Sequence, residues 1–314
     1  KTAHQNFLLI NEELKKYSKE LLKRPTLIAL NKIDLTDAKK YITEAENIFN
    51  TYDRRFSRFK ETSELHKLNS VSGEWFRVSI QMYEVLKKCL LLAEETSGAF
   101  DPSVGTVLAS YGYGLPKNFQ LPDPLPTYHD IELNDRELSV RLAKGQILEP
   151  ASIVKGMAID DAGRSLLGAP GFLINAGGDI ITHGAFEDGN LWNIAIQDPL
   201  NPSAIVTAVG IRDAGMATSG TYQTKGIHHD EEWHHLINMR TGKPSDGIVS
   251  ATVIAHTCEE ADTEASLAVL LSPDEAIARL EAIDLPYFFI TKDSKVLKSA
   301  SFAALEVPVQ TLVS

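Results

Sequence analysis

The residues best suited to chemistry lie in stretches far apart along the chain. LINAGGDI (173–180) ends an apolar, strand-like run in Ala176-Gly177-Gly178-Asp179. Paired glycines at a strand end let another molecule approach the backbone, and the N–H groups there can hold a phosphate. SIVKGMAIDDA (152–162) predicts a helix capped near Ser152, with Lys155 in its first turn and Asp160 one and a half turns on. EEADTEAS (259–266) opens a helix on which Asp262 and Ser266, spaced i and i+4, share one face. In FDPSVG (100–105) the proline after Asp101 holds that acid in an extended or turn conformation. HHLINMRTGKP (234–244) reads as a histidine-bearing strand running into a Gly turn, so only one of His234 and His235 faces a given side. Each has a plainer reading when taken singly. Asp262 and Ser266 suit a helix start facing solvent, Gly177-Gly178 a tight turn, and Lys155 an exposed surface.

Two other stretches suggest chemistry that the rest of the chain does not support. HHDEEWHH (228–235) is rich in ligand-type side chains, but its spacing is not that of a transition-metal site, and Asp-Glu-Glu between the histidines reads as an exposed hairpin tip. LIALNKIDL (27–35) places Asn31-Lys32-x-Asp34 after an apolar strand, like the guanine-reading loop of a GTPase. Phosphate binding in such enzymes needs a Gly-rich loop ending in Gly-Lys-Ser/Thr, and the chain has none. Over residues 6–40 the sequence nevertheless resembles the late part of the G domain in Obg-family GTPases. That resemblance implies a fragment, residues 1–40, that packs without hydrolysing GTP.

The elements that must position these residues are legible from periodicity. Ile42, Ala45, Ile48, Phe49 and Tyr52 recur at helical spacing, and Met82, Val85, Leu86, Cys89, Leu90 and Ala93 fill one face of a helix over 79–97 that ends at Gly98. Further helices are expected over 155–167, 258–271 and 273–283, and strands over 171–176, 191–197, 205–211, 248–255 and 287–291. Residues 113–130, crowded with Gly, Pro and Asn, read as a loop. Helices interspersed with hairpin-connected strands indicate an α+β fold. With 314 residues, 43% hydrophobic and 23% charged, the chain is of ordinary globular composition. A net charge of -11 argues against nucleic acid as the main partner, since binding phosphate backbones needs a basic face. Cys89 and Cys258 make no disulfide framework or metal spacing and are expected to be core residues. No apolar run reaches the roughly 18 residues of a membrane span. Neither a signal peptide nor a lipobox is visible, which favours the cytoplasm unless a leader preceded Lys1.

Taken in order, RRFSRFKETSELHKLN (54–69), SGAFDPSVG, VKGMAIDDA, INAGGDI, ATSGTY (217–222), HLINMRTG (235–242) and EADTEAS resemble the FAD:protein FMN transferase family, often called ApbE, over residues 42–300. The resemblance implies a T-fold-like, two-lobed single domain over residues 41–314 with FAD in the cleft between the lobes. The implied reaction moves FMN from FAD to a threonine hydroxyl of an acceptor flavoprotein with release of AMP, and it requires Mg²⁺. Its alternatives are an FAD pyrophosphatase giving FMN and AMP, and a non-catalytic FAD-binding protein. By the same resemblance the Mg²⁺ ligands are Asp262, Ser266 and a backbone carbonyl at Ala151 or Ser152, a set of hard oxygen donors. His235 takes the proton of the incoming hydroxyl. Phe100, Asp101, Lys155, Asn175, Gly177, Gly178, Asp179 and Ser219 line the FAD site, and Asp160 contacts its adenosine part. This chain departs from its relatives at Glu149-Pro150-Ala151-Ser152, where they usually carry Asp-x-Gly-Gly, and at Asn238-Met239, where they carry Asp-Pro. The family's Met-Gly-Thr strand is also missing, with RPTLIALN (24–31) available as a substitute.

Overall fold

Serines and threonines placed one residue before apolar-periodic runs set the starts of most helices. The structure, a computed structural model, describes residues 36–113, 119–186, 189–201, 203–222, 224–228 and 231–309. Helix α1 (Thr36–Phe56) runs across the expected boundary at residue 40. The rest of the Obg-like stretch, with Asn31–Asp34 and the substitute strand at 24–31, lies outside the described residues. Helices α2 (Glu64–Ser70) and α3 (Ile80–Glu95) start where Ser63 and Ser79 accept hydrogen bonds from the N–H groups of His66 and Met82. Gly98, at φ +78, closes the end of α3, and its N–H donates to the Ala93 carbonyl at 2.8 Å. A short helix α4 (Val104–Ser110) follows. Strands β1 (Trp75–Arg77), β2 (Glu132–Asn134) and β3 (Ser139–Arg141) form a small sheet in the order β1-β3-β2.

Helix α5 (Ala151–Ser165) leads into β4 (Gly171–Ala176) and β5 (Asp179–Gly184), followed by β6 (Trp192–Gln197), β7 (Ile205–Ile211) and β8 (Gly215–Gly220). The hairpin β9 (Lys225–His228) with β10 (Glu231–His234) comes next, then the short pair β11 (Ile237–Asn238) and β12 (Lys243–Pro244). Strand β13 (Ile248–Ala255), helices α6 (Cys258–Leu270) and α7 (Pro273–Ala282), strands β14 (Tyr287–Thr291) and β15 (Val296–Lys298), helix α8 (Ala300–Ala303) and strand β16 (Glu306–Val307) complete the chain. The principal sheet has the order β15-β14-β13-β8-β5-β4 and is antiparallel throughout.

Strand alternation divides the core between the two faces of this sheet. Ala251, Val253, Tyr287 and Phe289 face the helices, whereas Ile254, Phe288 and Ile290 pack with Ile194, Ile196, Val209 and Phe302 beneath the smaller sheet β16-β7-β6. The helix-side cluster also takes in Tyr52, Met82, Leu86 and Phe100, so the N-terminal helices and the sheet share one core. This is the α+β single domain expected. Helix α6 lies very close to the sheet and to α5. A Cβ on Gly156 would come within 2.4 Å of the Glu259 Cα, and one on Gly215 within 2.3 Å of the Thr257 backbone. Both cysteines are buried and free. Among the described residues no helix is long and apolar enough to cross a membrane.

Candidate active site

The start of α6 is built by three segments. Thr257 accepts the Glu260 N–H, while both carboxylate oxygens of Asp160 on α5 accept N–H groups, from Cys258 at 2.8 Å and Glu259 at 2.9 Å. These are the donors a helix leaves unpaired at its N-terminus. Asp160 is therefore a brace between two helices, with each oxygen using one of its acceptor sites on a backbone N–H. Asp101 is held in the same way. Its oxygens accept the N–H groups of Ser103 at 2.7 Å and Tyr128 at 2.8 Å, and burial raises its carboxyl above the usual range. Phe100 packs in the helix-side core.

One turn into α6, Asp262 is only 3% exposed. The Gly156 N–H donates to its carboxylate, but Oδ2 has no hydrogen-bond partner. Burial pushes its carboxyl up to about 6, against the opposing pull of Lys155 and of that N–H. Ser266 shares the same helix face, and its Oγ lies 2.9 Å from Ser219 Oγ on β8. Between them Thr263 donates to the Ser152 carbonyl at 3.3 Å, which brings the first turn of α5 against α6. A buried carboxylate oxygen without a partner, on the same helix face as the Ser266 hydroxyl and with the Ser152 carbonyl turned towards the next residue of α6, fits a hard divalent cation. Among the described residues no three His, Cys, Asp or Glu side chains converge as a metal-binding group, so this donor set is of hydroxyl and carbonyl type.

Helix α5 begins at Ala151, with Pro150 as its N-cap. Ser152 is thus inside the first turn and not the cap that the sequence suggests. The substituted Glu149 is 2.8 Å from Arg58 in a largely buried ion pair, and it accepts the Ala151 N–H. The second departure is also absorbed locally. Asn238 Nδ2 donates to the Leu270 carbonyl at 2.8 Å, and the Met239 N–H donates to Ala99 at 3.1 Å.

Lys155 forms an ion pair with the buried Asp179. Asp179 sits across from Ala176 at the end of a two-residue turn whose glycines have φ +73 and +103. Such a turn needs φ > 0 at both central residues. The space where their Cβ atoms would stand is open, and Asn175 Oδ1 accepts the Gly178 N–H at 3.0 Å. Asn175 and Gly178 border a cavity of 320 Å³ that also reaches Thr218, Met216 and Tyr222. Thr218 and Tyr222 fall within the quoted ATSGTY, yet nothing in that run distinguishes cavity-lining positions from the buried ones beside them.

His235 follows β10 directly, one residue beyond the strand in which it was expected. Its N–H donates to the Thr224 carbonyl at 3.1 Å, and its Nδ1 lies 3.4 Å from the same oxygen. A carbonyl only accepts, so the ring nitrogen facing it carries the proton and Nε2 keeps a free lone pair. Burial drives the imidazole down to about 4, and the positive charges of His234, Lys155 and Arg58 push the same way. His234 is directed elsewhere, its Nε2 at 2.7 Å from the Ser245 carbonyl. The HHDEEWHH segment forms the β9–β10 hairpin. The structure thus brings together His235, Lys155, Asp179, Asp262, Ser266, Ser219 and the Ser152 carbonyl. Asp101, Asp160 and Phe100 are also bonded or packed into the framework around them.

The family model of ApbE matches residues 26–289. The chain is 29% identical to the FAD:protein FMN transferase of Vibrio cholerae over 85% of each chain, and 27% identical to that of Haemophilus influenzae over 84% of this chain and 82% of the other. Among solved structures it resembles the ApbE protein of Thermotoga maritima, with TM-score 0.78, 23% identity and coverage of 86% and 92% of the two chains. It also resembles the flavin transferase ApbE of Vibrio cholerae, with TM-score 0.73, 26% identity and coverage of 88% and 93%. The family match includes LIALNKIDL, and none of these relatives is a GTPase.

Proposed function

The chain belongs to the ApbE family, and on that premise we propose that it is an FAD:protein FMN transferase. The observation that carries this reading is the convergence around Lys155. Its charge acts on both Asp262 and His235, so the oxygen-donor cluster on α6 and the histidine after β10 lie around one ammonium group.

FAD, as substrate, would lay its pyrophosphate against the open Gly177–Gly178 turn and beside Lys155, where free space and a positive charge meet. Mg²⁺ would be held by Asp262, Ser266 and the Ser152 carbonyl, and when bound it supplies Lewis-acid stabilisation of charge on the phosphate oxygens. The neutral His235 accepts the proton of the acceptor's threonine hydroxyl at Nε2, the nitrogen left free by the Thr224 carbonyl. A new bond forms between the threonine oxygen and the phosphorus of the FMN half. The anhydride P–O bond to AMP breaks, and its electron pair leaves on the AMP phosphate.

The test is incubation with FAD and Mg²⁺, with and without a flavoprotein bearing the target threonine, following AMP and acceptor mass. AMP release that requires the acceptor, with acceptor mass rising by one FMN, is the expected result. AMP and free FMN without acceptor would replace the transferase by a pyrophosphatase. Tight FAD binding with no AMP in either arm would leave only a flavin-binding protein.

A further inference from the structure

Outside the residues already given a role, one buried charged pair links the start of α5 to the aromatic cluster beside the β9–β10 hairpin. Arg58, in the turn after α1, and Glu149, just before α5, are 2.8 Å apart, and their side chains are 8% and 15% exposed. The approach lacks the alignment of a hydrogen bond, so the pair acts chiefly through charge. Glu149 is fixed from both sides along the backbone. Its own N–H donates to the Pro102 carbonyl at 2.8 Å, and its carboxylate accepts the Ala151 N–H. That second bond holds the residue immediately before Ser152, whose carbonyl is turned towards Thr263 on α6. On its other side Arg58 donates to the Tyr113 carbonyl at 3.2 Å, and its guanidinium lies 3.9 Å from the centroid of the Tyr113 ring. Tyr113 meets Trp233 edge-on at 5.9 Å, and Trp233 is two residues before His235.

We propose that Arg58 and Glu149 are positioning residues, which fix the Ser152 carbonyl for the divalent cation and tie the first turn of α5 to the hairpin that carries His235. A carboxylate that lies largely buried is retained here because it has two jobs that a neutral side chain cannot do together. It accepts the Ala151 N–H and neutralises a guanidinium that is itself shielded from water. Groups that hold a metal's ligands typically change its affinity by 10–100-fold when altered. The inference rests on the cation assignment made above, and its test separates the two.

Mn²⁺, used as a paramagnetic substitute for Mg²⁺, is titrated into the full chain and its free fraction read by electron paramagnetic resonance. Wild type binds one Mn²⁺ and Asp262→Asn loses it; if Asp262→Asn binds as wild type does, the cation site itself is wrong and the inference falls with it. Glu149→Gln keeps the shape and removes the charge, and we expect about 10-fold weaker Mn²⁺ binding or more. In turnover the same variant needs correspondingly more Mg²⁺ for half-maximal rate, while kcat at saturating Mg²⁺ returns to near the wild-type value. A general loss of packing would not be rescued in that way. Should Glu149→Gln not fold, Arg58→Lys keeps the charge but gives up the planar fork and the stack on Tyr113, and a smaller weakening in the same direction is expected. A folded Glu149→Gln or Arg58→Lys protein with wild-type Mn²⁺ affinity overturns the proposal.

Discussion

Replacing Asp262 by asparagine should make the metal-free protein more stable, the reverse of what removing a buried, hydrogen-bonded group usually does. Asp262 ionises at about 6 in the folded chain, against 3.8 for an unperturbed aspartate. Because the folded value is raised, the charged form is the one that folding disfavours. Below about pH 3.8 the carboxyl is protonated in both states and contributes nothing; stability is then lost as the pH rises through about 6. At 1.36 kcal/mol per pH unit, the penalty above that point is about 3 kcal/mol. Asparagine removes the charge and keeps an oxygen for the Gly156 N–H, at some cost for a buried amide group. A net gain of about 2 kcal/mol follows, or a Tm about 3 °C higher for a chain of this size. The assay is thermal unfolding in EDTA at pH 7.5 and pH 4, for wild type and Asp262→Asn, repeated with Mg²⁺. The gain should be lost at pH 4, where the small cost of the buried amide is no longer offset. Mg²⁺ at about 100 times its Kd should raise wild type by about 2.7 kcal/mol and leave the variant unmoved. A metal-free Asp262→Asn protein that melts below wild type at pH 7.5, or one that Mg²⁺ stabilises equally, would refute the reasoning.

Other perturbations give separate outcomes. The acid limb of the Mg²⁺-dependent rate should lie near pH 6, where Asp262 protonates, and not near pH 4, where His235 does; raising Mg²⁺ should move it to lower pH, and a limb insensitive to Mg²⁺ would point to another group. His235→Asn should lower acceptor flavinylation by about 10²–10⁴-fold while FAD binding, read by fluorescence quenching, stays near wild type. Gly156→Ala drives a methyl into the Glu259 backbone and should cost about 1–3 kcal/mol in urea unfolding, with unchanged stability counting against the close helix approach. Asp160→Ala removes two charge-assisted bonds at the start of α6 and should lower stability by about 2 kcal/mol, whereas loss of FAD affinity at unchanged Tm would assign this residue to the ligand site.

Local chemistry determined what the sequence could show by itself. Serine before an apolar helix, glycine after one and alternation along a strand act over a few residues. The bounds of α3, β4, β7, β13, β14 and α7 are accordingly close to those expected. Strand β8, GMATSG, was not expected from periodicity, because its small residues are selected by the nearness of α6 and not by an apolar face. The order of the motifs likewise identified the family, since residue types and spacing are properties of the chain. How each carboxylate is bonded was decided only in three dimensions. Asp101, Asp160 and Asp262 are all buried or half-buried acids. Two of them find backbone N–H groups for both oxygens, and the third keeps one oxygen unpaired beside Ser266. That outcome depends on residues about 30 and 100 positions away, Tyr128 for Asp101 and Cys258 for Asp160. The same holds for His235 and Arg58. Their surroundings exist only once distant segments pack, because burial and the charges that set an ionisation are supplied by neighbours in space.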